Sequence, residues 1–250
     1  QYAQDYITRF GFDAKYHPPY LTMALGAGNV TPAQMVGAYA IFANGGFRVT
    51  PYFIARIEDA RGTVIAQARP DRAGESAPRV IDARNAFIMT NILQDVVKMG
   101  TGARAMKLGR TDLAGKTGTT NDFIDAWFCG FGTGLVAVAW IGFDNPHTLG
   151  HNETGSQAAL PMWMAYMGKV MAGVEEQPRS VPEGVVQARV DPETGLRDPA
   201  GGGIVDYFYQ EFLPAEEGSA PLAQQLPTVP AAPGASGGAK PPEEVKSQLF

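Results

Sequence analysis

One short run in this 250-residue sequence has the residue types for chemistry: Leu113-Ala114-Gly115-Lys116-Thr117-Gly118-Thr119-Thr120. It reads as a β-strand, yet it carries a lysine, hydroxyls and a residue without a side chain. Alternation puts Lys116, Gly118 and Thr120 on one face and Thr117 and Thr119 on the other, so an edge strand could offer its cation and hydroxyls only along its rim. Gly118 has no Cβ and lets another backbone come close, as when an extended peptide adds itself to a sheet edge. The ligand that fits is extended and carries a carboxylate, which a cation and hydroxyls hold through charge-assisted hydrogen bonds. Lys-Thr-Gly alone would arise by chance in roughly one chain of this length in twenty, so its surroundings must decide its meaning.

Those surroundings are regular elements. Thr31-Pro32-Ala33-Gln34 combines an N-cap, a proline at the first helical position and a glutamine that can reach back to the cap. The helix it opens presents Met35, Ala38, Tyr39 and Phe42 on one face and stops at Gly45-Gly46. Val49–Ile57 and Thr63–Gln67 flank the polar turn Asp59–Gly62 and form a hairpin, followed by a loop from Arg69 to Arg79. Asp82 caps a second helix with apolar positions Ala86, Phe87, Met89, Ile92, Leu93, Val96 and Val97, closed by Gly100-Thr101-Gly102. Strands are expected at Leu113–Thr120, Ala126–Phe131 and Leu135–Phe143. The last is almost wholly apolar and reads as a central strand covered on both faces. Gly132-Thr133-Gly134 joins the last two as a hairpin. Leu160–Val174 reads as a core-packing helix with a stripe of Trp163, Tyr166, Met167, Val170 and Met171, and Val185–Val190 as a strand leading into the turn Asp191–Gly195.

Composition narrows the function. With 45% hydrophobic residues the chain can bury a sizeable core. A net charge of -5 with scattered basic residues gives no field for nucleic acid. No apolar run of about 18 residues is present to span a membrane. Tyr2, Tyr6 and Phe10 repeat at helical spacing before Gly11, as if the chain enters in the middle of a fold. The single cysteine, Cys129, sits in an apolar stretch and is expected to be a small buried hydrophobe. His17, His147 and His151 lie in Pro/Gly/Asn-rich contexts, and zinc clusters need more Cys and His than this, so no metal or other cofactor is expected. From Pro214 to Phe250, 18 of 37 residues are Pro, Ala or Gly. Residues 214–250 are therefore expected to be a disordered tail, and residues 1–213 a globular portion.

The segments Leu25–Pro32, Tyr39–Gly46, Gly100–Ala103, Leu113–Phe131 and Trp140–Asp144 together resemble the transpeptidase domain of class A penicillin-binding proteins, bifunctional peptidoglycan synthases. The resemblance covers most of the chain and fades after about Leu213. It implies an α+β fold, an antiparallel sheet with helices packed on its faces, of which this chain supplies the C-terminal portion. In that family Ser-x-x-Lys bears the nucleophile and its base, Ser-x-Asn shuttles protons, and Lys-Thr-Gly binds substrate. Of these only the third is here: none of Ser76, Ser156, Ser180, Ser219, Ser236 and Ser247 has a lysine three residues on or an asparagine two on.

The resemblance further implies a mechanism. A serine attacks the D-Ala-D-Ala bond of a peptidoglycan stem peptide and passes the acyl group to a neighbouring amine, and β-lactam antibiotics mimic the donor. Lys116 would supply positive potential, Thr117 and Thr119 would hold the donor carboxylate, Gly118 would admit the substrate backbone, and the Thr119 N–H would be an oxyanion donor. Partners would be the stem peptide and β-lactams, with no nucleic acid. The location would be the periplasmic face of the bacterial inner membrane, the anchor lying on a segment outside this chain. Two other readings use the same strand: a D-Ala carboxypeptidase or β-lactamase-type hydrolase, with water as acceptor, and a non-catalytic module that binds peptidoglycan or a partner protein.

Overall fold

A computed structural model describes residues 1–198 and 201–216. Its elements are four helices, α1 (Tyr2–Ile7), α2 (Pro32–Ala43), α3 (Ala83–Lys98) and α4 (Leu160–Val170), with strands β1 (Arg56–Glu58), β2 (Val64–Gln67), β3 (Ala114–Thr119), β4 (Ala126–Gly132), β5 (Leu135–Ile141), β6 (Val185–Val190) and β7 (Ile204–Tyr209). The strands form three antiparallel sheets, β1-β2, β3-β4-β5 and β6-β7. With helices on both faces of the three-stranded sheet, this is the expected α+β arrangement.

The local signals act as their chemistry requires. Thr31 Oγ1 accepts from the Gln34 N–H at 3.2 Å and Gln34 Oε1 accepts from the Thr31 N–H at 2.9 Å, a complete capping box. Asp82 Oδ1 accepts from the Arg84 N–H at 2.8 Å and starts α3. Against one face of the sheet, α4 buries Leu160, Trp163 and Met167 on Phe128 and Ala139, and Val97 of α3 joins the same cluster. The Phe128 and Trp163 rings meet edge to face at 4.8 Å, and the Trp163 indole N–H donates to Ala137 O at 3.0 Å. Each such side chain taken from water contributes about 1.5–3 kcal/mol. On the other face Leu93, Ala114 and Phe131 pack with Tyr39 and Phe42 of α2. Cys129 is buried within β4, as its apolar context suggested.

Two expectations need correction, and one strand went unread. The apolar strand β5 is not central: β4 lies in the middle and β5 on the flank. Both faces of β5 are covered, Val136 in one cluster and Ala137, Ala139 and Ile141 in the other, and this coverage made its sequence apolar. Apolarity reports on faces and says nothing of edges. The helical stripes are also narrower than read. Ile92, Tyr166 and Val170 are exposed, while Ile41 of α2 and Thr90 of α3 are buried. Thr90 satisfies its hydroxyl on Ala86 O at 2.7 Å, which lets a polar residue sit in the core. Finally, β7 was not foreseen. It pairs with β6 from Val185↔Tyr209 to Val190↔Ile204, and Tyr207 meets Phe87 of α3 edge to face at 4.9 Å. Of the expected tail, Pro214–Glu216 adjoins Arg197: the Arg197 N–H donates to Ala215 O at 2.8 Å and its guanidinium to Pro214 O at 2.7 Å. Residues 217–250 lie outside the described residues.

Candidate active site

Strand β3 pairs with β4 alone among the described residues, from Ala114↔Phe131 to Thr119↔Ala126, so its other rim is unpaired. Its first half is anchored in the core by Leu113 and Ala114, while Lys116 and Thr119 are exposed. The motif thus lies on an edge strand, with Lys116 and Thr117 on opposite faces by alternation. The Lys116 Nζ donates to Thr117 O at 2.9 Å and, at 3.4 Å, to Thr117 Oγ1. Thr117 Oγ1 lies 2.7 Å from Thr101 Oγ1. Thr119 Oγ1 accepts the Gly155 N–H at 3.0 Å, which leaves the hydroxyl proton free to donate elsewhere.

The turn from β3 into β4 is closed by two hydrogen bonds between Thr120 and Asp125. The Asp125 N–H donates to Thr120 Oγ1 at 2.7 Å and the Thr120 N–H to Asp125 O at 3.1 Å. Between them Asp122 and Phe123 both hold left-handed backbone, φ 57° and 53°, which for a bulky residue such as Phe123 is a costly conformation. The Asp125 carboxylate accepts the Trp140 indole N–H at 2.8 Å, tying this turn to β5. The end of the site strand is therefore over-determined by its surroundings.

The penicillin binding protein transpeptidase domain model matches residues 4–159, more than half of the chain. The chain belongs to that family. Curated relatives of the penicillin-binding transpeptidases include penicillin-binding protein 1A of Neisseria flavescens, 50% identical over 185 residues, covering 74% of this chain and 23% of that protein. The protein of the same name from Pseudomonas aeruginosa is 40% identical over 272 aligned residues, covering 90% of this chain and 32% of its own length. Among solved structures, penicillin-binding protein 1A from Haemophilus influenzae superposes with a TM-score of 0.82 at 33% identity, over 86% of this chain and 37% of that one. The chain thus spans between 23% and 32% of these two curated relatives.

Within this transpeptidase fold, Lys116, Thr117, Gly118 and Thr119 follow one another on β3, a strand paired on one side only among the described residues. A Cβ at Gly118 would meet Trp127 Cβ at 3.2 Å, so the paired strand packs closely at this position. Two contributors were missed. Thr101 was read only as part of a turn, and Gly155 went unread because its contact with Thr119 spans 36 residues. Gly155 opens the π-helical turn Gly155–Ala159 ahead of α4 and lies against the backbone of both Gly118 and Trp127. The three histidines play no part on this rim. Among the described residues there is no group of three or more His, Cys, Asp or Glu placed to hold a metal ion, and no helix long and apolar enough to cross a membrane. Two surface clefts, of about 410 and 370 Å³, lie elsewhere, and neither is lined by residues 113–120.

Proposed function

We propose that this chain is the substrate-binding half of a serine-type D-Ala-D-Ala transpeptidase of peptidoglycan synthesis, one that also binds β-lactams. The observation that carries this is the unpaired rim of β3, where a lysine and donor hydroxyls converge within a domain of the penicillin-binding family. An extended peptide ending in a carboxylate can lie along such a rim, with backbone hydrogen bonds for affinity and the cation and hydroxyls for its terminal charge. Lys116 supplies positive potential beside the donor carboxylate and the nucleophile. The Thr117 and Thr119 hydroxyls hold that carboxylate, Gly118 keeps the rim low, and the Thr119 N–H serves the oxyanion. The same reading places the protein at the periplasmic face of the inner membrane, anchored through a segment outside this chain.

Because no serine in the sequence begins a Ser-x-x-Lys motif, the nucleophile comes from elsewhere in the full-length protein. The test is intact-mass measurement after incubation with a labelled penicillin. The full-length protein is expected to gain one adduct per molecule and the 250-residue chain none. A stoichiometric serine-linked adduct on the 250-residue chain overturns the division of labour. Absence of any adduct on the folded full-length protein overturns the function.

A further inference from the structure

The cleft of about 410 Å³ lies away from β3, between α1, the start of α3 and the end of β7. Two arginines that line it, Arg9 and Arg79, form no ion pair among the described residues. Each lies over an aromatic ring, Arg9 over Tyr6 at 4.8 Å and Arg79 over Phe47 at 4.1 Å. Stacking occupies the face of a guanidinium and leaves its N–H groups at the edge, where they match oxyanions. Arg84, beside the cleft, shows the contrast: it stacks on Tyr209 at 4.7 Å but spends its edge on Glu211 and Asp82, at 2.8 and 3.3 Å. Arg79 spends an N–H on Gly45 O. Asp82 is the one carboxylate lining the cleft, and it is already engaged by the Arg84 N–H and Nε. Two guanidiniums against that carboxylate leave the cleft positive. Its walls are built into the fold. Tyr6 packs on the cluster of Ile41, Ile81 and Ala86, and a β-bridge between Phe47 and Arg79 holds that pair together, which keeps the ordering cost of binding low.

We propose that this cleft binds a small phosphomonoester, at a site separate from the one on β3. A carboxylate has two oxygens, which one guanidinium fork saturates. A phosphomonoester has three terminal oxygens and a charge of roughly -1.5 to -2 at neutral pH, so it can take a fork from each arginine and still accept from the Asn85 amide. The cleft is of the size of small-molecule sites and leaves room for the esterified group beside the phosphate. The test is calorimetric titration of the full-length protein with glycerol 3-phosphate, with the diester glycerophosphoglycerol and with acetate, all at one ionic strength. One site is expected for the monoester, with the diester and acetate bound at least about tenfold more weakly. Arg9→Gln and Arg79→Gln should each weaken monoester binding about tenfold or more, the size of losing one hydrogen bond to a charged group. Arg79→Lys, which keeps the charge but not the fork, should fall between. Penicillin acylation and Tm of the variants are expected to stay as in wild type, so the result is read independently of the transpeptidase function. If Arg79→Gln melts early for want of its Gly45 contact, Arg9→Gln decides. No binding by the wild type, or unchanged affinity in the folded glutamine variants, overturns the site. Equal affinity for the diester or acetate overturns its assignment to phosphomonoesters.

Discussion

The Gly155 N–H donates to Thr119 Oγ1 at 3.0 Å, joining the turn before α4 to the last residue of the site strand. There is no room at Gly155 for a side chain. A Cβ would lie 2.5 Å from Gly118 O and closer still to Trp127 O, both backbone atoms that cannot swing away. Gly155→Ala is therefore expected to cost about 1–3 kcal/mol through overpacking, a fall in Tm of roughly 2–12 °C. In the full-length protein the displaced Thr119 should also slow penicillin acylation about tenfold, the equivalent of one misplaced hydrogen bond. Melting curves and acylation rates on the same preparation check both, and a fully stable, fully active variant would show that the turn moves freely.

Arg110 and Asp112 form a second, purely structural joint. Their side chains are 12% and 11% exposed, and the pair is bidentate at 2.9 and 2.8 Å. Burial alone would raise the Asp112 carboxyl, but the Arg110 guanidinium and the Thr133 hydroxyl and N–H outweigh it and hold the group below its ordinary value of 3.8. A carboxyl depressed in the folded state stabilises the protein above its unfolded pKa and loses that contribution as pH falls through the folded value. Asp112→Ala should thus cost about 1.5–3 kcal/mol at neutral pH, the size of losing hydrogen bonds to a charged group, since Arg110 and Thr133 lose their shared acceptor. The gap from wild type should narrow as pH drops below about 4. Denaturant midpoints at pH 7 and pH 3 measure it, and a pH-independent gap would mean the ion pair is not the cause.

What could be read from the sequence was what is local. The caps at Thr31 and Asp82, the left-handed Gly45-Gly46 stop and the hairpin at Gly132–Gly134 each depend on residues within about four positions of one another, and each forms. The four motif residues on β3 were legible for the same reason. Strand order was not, because the apolar β5 records helices on both faces and carries no mark of its neighbours. The contributions of Thr101 and Gly155 were also hidden, since they depend on tertiary contacts 16 and 36 residues away. Strand β7 did leave a trace, the β-branched and aromatic run Ile204-Val205-Asp206-Tyr207-Phe208-Tyr209, which strand propensity could have found.

Cys129 offers a check on the core of the site sheet. It is 3% exposed, and burial pushes its thiol up to about 12. At pH 8 only about one molecule in ten thousand would carry the thiolate, the form that reacts. Iodoacetamide is expected to leave Cys129 unmodified in the folded protein and to label it fully in guanidinium. Rapid labelling without denaturant would mean that the strand pairing Lys116↔Cys129 opens readily.

Lys116 gives the most direct test of the site strand. Its ammonium contacts are both with Thr117, at 2.9 and 3.4 Å, and the residue is exposed, so it is held by its own strand and packs no core. The turn that follows carries Asp122 and Asp125, charges of the opposite sign that cannot stand in for it. A hydrogen bond to a charged group contributes about 1.5–3 kcal/mol, so Lys116→Ala in the full-length protein should slow acylation by about 10- to 150-fold. Stability should move by no more than about 0.5 kcal/mol, as for other surface substitutions. Acylation rate and Tm measured together separate the two roles. A slow variant with an unchanged Tm is the expected outcome; a slow variant whose Tm collapses would recast Lys116 as structural, and unchanged acylation would remove β3 from substrate binding.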